Sequence, residues 1–213
     1  MPRSIDDSSS QTKVWLNYPD DINALADEAR ESDWSRRVAV LLMGRVGLRV
    51  SGVLSATPAG LSYNDDGDYW ELRVRGKNTK GGEKTTRQAY VPKDVQRELN
   101  NYAKERDIAL SEPYVDVSVD SIRRWVREAA SNLAPSEGKE SSSREHDDNH
   151  PEYWEHVSSH DLRRAWANHY LVEEEVSARV MMSIGGWSSY DAIEPYLTEP
   201  TSSTIGEELN GLS

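Results

Sequence analysis

Apolar residues recur at helical spacing through most of the chain and at alternate positions in one central stretch. Tyr18-Pro19-Asp20-Asp21 reads as a turn into a helix, with Asp20 or Asp21 as N-cap, and Ile22, Leu25, Ala26 and Ala29 form its apolar stripe. A second helix starts near Asp33 or Ser35 and ends at Gly47. Its Val38, Val40, Leu41, Leu42 and Val46 are apolar nearly all round, which predicts burial. From Leu54 to Pro92 the period falls to two. Tyr69 to Arg75 alternates, as does Gln88 to Val91, and Gly76 to Gly82 between them is rich in turn residues. With a first short strand near Leu61 this predicts a small antiparallel sheet. Helical spacing returns over Val95 to Ala103, over Ile122 to Ala129 behind a Ser118 cap, over Ser158 to Val172, and over Val176 to Ile184, where Gly185-Gly186 stops it. The class is α+β, mainly α.

Polar stretches interrupt this order. Residues 1–13 are Ser-rich and expected to be frayed. Residues 134–155 hold Pro, Gly, three consecutive Ser and a charged run, and read as a flexible linker inside one domain covering 14–213. Residues 197–213 form a tail in which Ile205, Leu209 and Leu212 suit a short amphipathic helix.

The chain of 213 residues is long enough for one domain with a real core. No apolar run reaches membrane-span length, and the N-terminus lacks the apolar segment of a secretion signal, so a cytoplasmic location without membrane partners is expected. With no Cys there is no disulfide or thiolate site, and the five His (146, 150, 156, 160, 169) lack convincing ligand spacing; no metal is called for. The net charge of −12 ordinarily argues against nucleic acid. Its acid-rich, Lys-poor composition resembles that of salt-adapted proteins and suggests a haloarchaeal source. The charge is also uneven: between Arg73 and Lys93 seven basic residues face one acid, Glu83, a strip able to track phosphates.

The candidate chemistry is densest between Ser158 and Leu197. His160 and Arg163 are three apart and share a helix face. Gly185-Gly186-Trp187-Ser188-Ser189 follows, and Tyr196 lies nine positions beyond Trp187. Earlier, Gly47-Leu48-Arg49-Val50-Ser51 sets an arginine directly after the buried helix, a costly placement unless the charge is paired or faces a site. Each element alone is a common surface pattern. Together, G-L-R-x-S, then H-x-x-R, then G-G-W-x-S and a late Tyr resemble the signature boxes of the tyrosine recombinases, the phage-integrase family.

The resemblance implies a helical catalytic domain with a three-stranded sheet, the integrase-like DNA breaking-rejoining fold. It implies that Arg49, His160, Arg163 and Trp187 surround the scissile phosphate and that Tyr196 is the nucleophile. Lys77, in the Arg75-Gly76-Lys77 context, matches the hairpin lysine. It places Arg75, Lys80, Lys84, Arg87, Arg123, Arg124, Arg127 and Arg164 as DNA contacts, requires no cofactor, and makes double-stranded DNA the partner, with a dimer or tetramer assembling on it beside the nucleoid. One position departs from the pattern: the family usually carries an acid three residues after the first arginine, and here it is Gly52. Asp161 is a candidate replacement. The N-terminal clamping domain usual in the family has no counterpart in the 40-odd residues before the Arg49 box. Two other readings share the motifs: a nicking-closing enzyme like a type IB topoisomerase, and a DNA-binding regulator derived from an integrase.

Overall fold

A computed structural model describes residues 4–6, 13–76, 85–134, 152–194, 206 and 210. Near the N-terminus, strand β1 (Ser4–Asp6) pairs antiparallel with β2 (Lys13–Trp15). Helix α1 (Asp20–Ser32) and helix α2 (Trp34–Gly44) then form an antiparallel pair at the centre of the molecule. The stripe Ile22, Leu25, Ala26 and Ala29 is buried on α1, and Val38 to Gly44 is buried without a break on α2, as its all-round apolarity predicts. Asp33 starts α2, its carboxylate accepting from Ser35 N–H at 2.7 Å. Asp20 and Asp21 fall inside the first turn of α1 instead of capping it. Asp21 accepts from Asn17 N–H (2.8 Å), so the carboxylate braces the entering chain.

After α2 the chain turns through Gly47, Leu48 and Arg49 into a single turn, α3 (Val50–Val53). A 3-10 turn at Pro58–Gly60 leads to strands β3 (Leu61–Asn64), β4 (Tyr69–Arg75) and β5 (Thr86–Val91). They form an antiparallel sheet in sequence order, with Leu61 opposite Leu72 and Val74 opposite Arg87. Leu72, Val74, Ala89 and Val91 are buried on its inner face, the alternation a half-buried sheet requires. Helix α4 (Lys93–Glu105) packs against β4. Helix α5 (Val119–Leu133), capped by Ser118, packs along α1.

A helical turn, α6 (Glu152–Glu155), precedes α7 (Ser159–Asn168), which lies against α2. The chain continues as a π-helical turn, His169–Glu173, before α8 (Ala178–Gly185). Gly186, at φ +69°, ends α8 in the left-handed conformation. A second small core of Trp166, Ala167, Met181, Trp187 and Ile193 fixes α8 to α7. The mainly helical class with one three-stranded sheet is therefore as expected.

Two segments differ from expectation. Strand β1 and the first residue of β2 lie inside the stretch expected to fray. The expected linker 134–155 ends in α6, whose Tyr153 and Trp154 are buried against the core. Two large aromatics outweigh the polar composition around them. Residues 135–151 lie outside the described residues, as do Lys77, Lys80, Lys84, Tyr196 and nearly all of the tail 197–213. Among the described residues no helix is long and apolar enough to cross a membrane.

Candidate active site

Three separate stretches deliver the site. The turn after α2 brings Arg49, α5 brings Arg123 and Arg127, and the start of α7 brings His160 and Arg163. Together with Ser51 and Ser158–Ser159 they line a cavity of about 470 Å³.

Arg163 is 1% exposed and forms the back of this cavity. A buried guanidinium must spend its N–H groups on acceptors, and Arg163 donates to the carbonyl of Gly47 and, at 2.7 Å, to that of Gly185. Its Cζ lies 4.3 Å from the ring centre of Trp187, which stacks in turn on Trp166. Gly47 permits this geometry. It sits at φ +70°, and a Cβ there would run into the Trp166 ring. The glycine of the G-L-R box therefore lets the chain press onto α7, so that its carbonyl meets Arg163.

The α8 terminus gathers more than one guanidinium. Arg87 of β5 donates to Ile184 O, Arg163 to Gly185 O, and both terminal nitrogens of Arg49 lie 3.5 Å from Gly186 O. Three successive carbonyls at a helix C-terminus, where the backbone leaves acceptors open and carries partial negative charge, hold three arginines. Among the described residues the acceptor nearest the Arg49 terminal nitrogens is therefore a backbone carbonyl and not an acid. The expected substitute, Asp161, does not serve Arg49. Its carboxylate accepts from Ser158 N–H (2.9 Å), Ser158 Oγ (2.6 Å) and Val14 N–H (3.2 Å), and it pairs with Arg164. Asp161 instead fixes the first turn of α7, which carries His160, to β2.

His160 keeps much of its surface open at the cavity mouth. The protein around its ring nevertheless makes burial the main cause holding its pKa below the ordinary value. The charges of Arg164, Arg163 and Arg49 push the same way, and Asp161 opposes them. Near pH 7 the imidazole is neutral, the form that can take up a proton.

Several expected contacts are placed differently. Arg164, expected as a DNA contact, is instead 7% exposed, ion-paired with Asp161 and packed over Trp15, so its guanidinium braces the interior. The Trp187 indole nitrogen is buried, so Trp187 offers its ring face to Arg163 and does not point an N–H into the cavity. On α5, Arg123 and Arg127 are four apart and face the cavity together. Arg124 turns away towards Glu128, 3.5 Å distant. Arg87, counted in the basic strip, is half-buried and turned towards the end of α8. Burial, and then the charge of Arg49, push its pKa down to about 10. Arg75 stays exposed beside it. No local pattern marks Arg87 as part of the site, because only strand pairing and the approach of α8 to β5 put it there.

The cavity is lined by an early Arg and a late His-x-x-Arg on a helical domain with a three-stranded sheet, a set of donors able to bind an anion. The phage integrase family model matches residues 17–201, and the chain belongs to that family. No curated protein sequence matches it. Among solved structures it is similar to XerA recombinase, at 18% identity and TM-score 0.62 over 97% of this chain and 65% of that one. It is also similar to the Tn1549 transposon integrase in complex with transposon right-end DNA, at 12% identity and TM-score 0.66 over 97% of this chain and 68% of that one. A third, XerH site-specific recombinase bound to its difH substrate, has 11% identity and TM-score 0.61 over 92% of this chain and 53% of that one. At such identities the likeness is one of fold. The chain spans about two thirds of XerA and half of XerH.

Proposed function

We propose that the chain is the catalytic domain, over residues 14–213, of a site-specific DNA recombinase that cuts and rejoins double-stranded DNA through a 3′-phosphotyrosyl intermediate. The observation that carries this reading is the convergence of Arg49, His160 and Arg163 on one cavity, with Arg123 and Arg127 at its wall. Neighbours of the same fold have been solved with recombination-site or transposon-end DNA.

In-line attack on a phosphodiester builds charge on the non-bridging oxygens, and side chains can supply the balancing positive charge. Forked guanidinium donors suit those oxygens. Arg49 is the better exposed of the two central arginines, and Arg163 backs it. The Tyr196 hydroxyl attacks phosphorus while the bond to the 5′-oxygen breaks. Neutral His160 accepts the phenolic proton, and Lys77 gives a proton to the departing 5′-oxygen. The phosphotyrosine keeps the bond energy, so a 5′-hydroxyl from a partner strand reverses the step. Assembly as a dimer or tetramer on DNA, a cytoplasmic, nucleoid-associated location and adaptation to high salt complete the reading.

The test is covalent trapping. The protein is incubated in high salt with nicked duplexes from its own flanking genome, beside Tyr196→Phe. A denaturation-resistant protein–DNA adduct that vanishes in the Phe variant is the expected result. Tight binding with no adduct on any cleavable duplex would overturn it in favour of a regulator. Strand exchange between paired sites, as opposed to relaxation alone, separates a recombinase from a nicking-closing enzyme.

A further inference from the structure

On the other side of Arg49 and Ser51 from the large cavity lies a cleft of about 50 Å³, completed by Gly52, Arg75, Gly76 and Arg87. It occupies the place the family pattern gives to an acid. A Cβ built on Gly52 would meet only Leu48 Cβ, at the ordinary distance of 3.6 Å, so among the described residues there is room at Gly52 for a side chain to start into the cleft. The cleft has room for one or two particles of water size.

Its charge is unbalanced. Arg87 donates to Ile184 O and the terminal nitrogens of Arg49 lie 3.5 Å from Gly186 O, so both guanidiniums gather at the same helix end. Among the described residues neither forms an ion pair. The end of a helix offers about half a negative charge, which is too little for two guanidiniums in a partly desolvated place. The charge of Arg49 is felt at Arg87, where it adds to burial in lowering the pKa.

We infer that this cleft is an anion seat: one compact anion, either a free ion of chloride's size or an oxygen of a neighbouring DNA phosphate, sits between Arg49 and Arg87 and supplies the counter-charge missing at Gly52. Arg49 N–H, Arg87 N–H and the Ser51 hydroxyl are the donors within reach of such an ion. The seat orients Arg49 from behind, leaving its other face for the large cavity. The inference concerns binding and does not require strand cleavage.

Bromide serves as the probe. Crystals of the wild-type chain and of Gly52→Asp are soaked in bromide, and anomalous scattering is measured. Thermal midpoints of wild type, Gly52→Asp and Arg87→Gln are compared in chloride and in gluconate at equal ionic strength. The expected result is a bromide peak between Arg49 and Arg87 in wild type that is absent in Gly52→Asp. The wild-type midpoint should stand roughly 3–6 °C higher in chloride at tenfold saturation, with the difference lost in both variants. If Arg87→Gln does not fold, Gly52→Asp decides alone. Wild-type crystals with no peak at this cleft, and one common anion dependence in every variant that folds, would overturn the seat. A third arm adds duplex DNA to the bromide soak. Bromide retained identifies a free ion, and bromide displaced by a phosphate identifies the DNA backbone as the source.

Discussion

Arg163 shows how one side chain combines structure and chemistry. Its buried guanidinium satisfies Gly47 O and Gly185 O, two carbonyls from stretches more than a hundred residues apart. Arg163→Lys keeps the charge but not the planar fork, so one carbonyl loses its donor. Hydrogen bonds to charged groups contribute about 1.5–3 kcal/mol; the Lys variant should lose stability of this order in denaturant melts and also lose DNA affinity. His160 makes a pH prediction. Its folded pKa lies below the ordinary 6.5, so the unfolded chain binds more protons just below that value. Its contribution is therefore fully present above about pH 6.5 and lost as pH falls through the lowered folded pKa. His160→Gln should flatten this part of the stability–pH curve; an unchanged slope would show that other groups set it.

At the scale of elements, the α8 terminus is the joint that matters. It presents three carbonyls to three arginines because the chain turns left-handed at Gly186. A Cβ at Gly186 would lie 2.5 Å from Arg87 Cδ. Left-handed backbone costs a non-glycine residue roughly 1–2 kcal/mol before any collision. Gly186→Ala should lower the thermal midpoint and, by moving Arg87 and Arg49, reduce DNA binding together with it. Ser183→Ala, exposed on the same helix, is the control and should change neither.

At the scale of the whole molecule, an acidic chain concentrates positive charge in one place. Several arginines are matched by acids: Arg37 with Asp27 and Glu98, Arg36 with Glu128, Arg106 with Asp33, and Arg123 at the cavity wall with Asp120. Among the described residues Arg127, at the cavity wall, has no such ion pair. If the cavity takes DNA, Arg127→Gln should weaken binding across sequences and reduce the salt slope by about one, while Arg124→Gln, turned towards Glu128, should leave the slope nearly unchanged. Binding titrations at several salt concentrations read both. Equal slopes for the two variants would move the DNA path away from the α5 face that lines the cavity.

Local periodicity in the sequence marks α1, α2, α4, α5, α7, α8 and the strands β3 to β5, whereas the grouping of Arg49 with His160 and Arg163, over a hundred residues apart, comes from the resemblance to the family's signature boxes. The Ser118 cap, the Gly186 stop and the burial of α2 are local in the same sense. What α7 presents to β2, and β5 to α8, was not legible. Arg164 sits one residue from Arg163 and differs from it only in the face it turns, and its pairing with Asp161 depends on where β2 lies. Trp187 looks like an N–H donor in a motif; packing against Trp166 turns its ring to Arg163. Arg87 reads as one charge in a basic strip until β5 meets α8. Tertiary structure decided these because a guanidinium's role is set by the acceptors that surround it, and for Arg163 and Arg87 those acceptors are backbone carbonyls, which the side-chain sequence does not display.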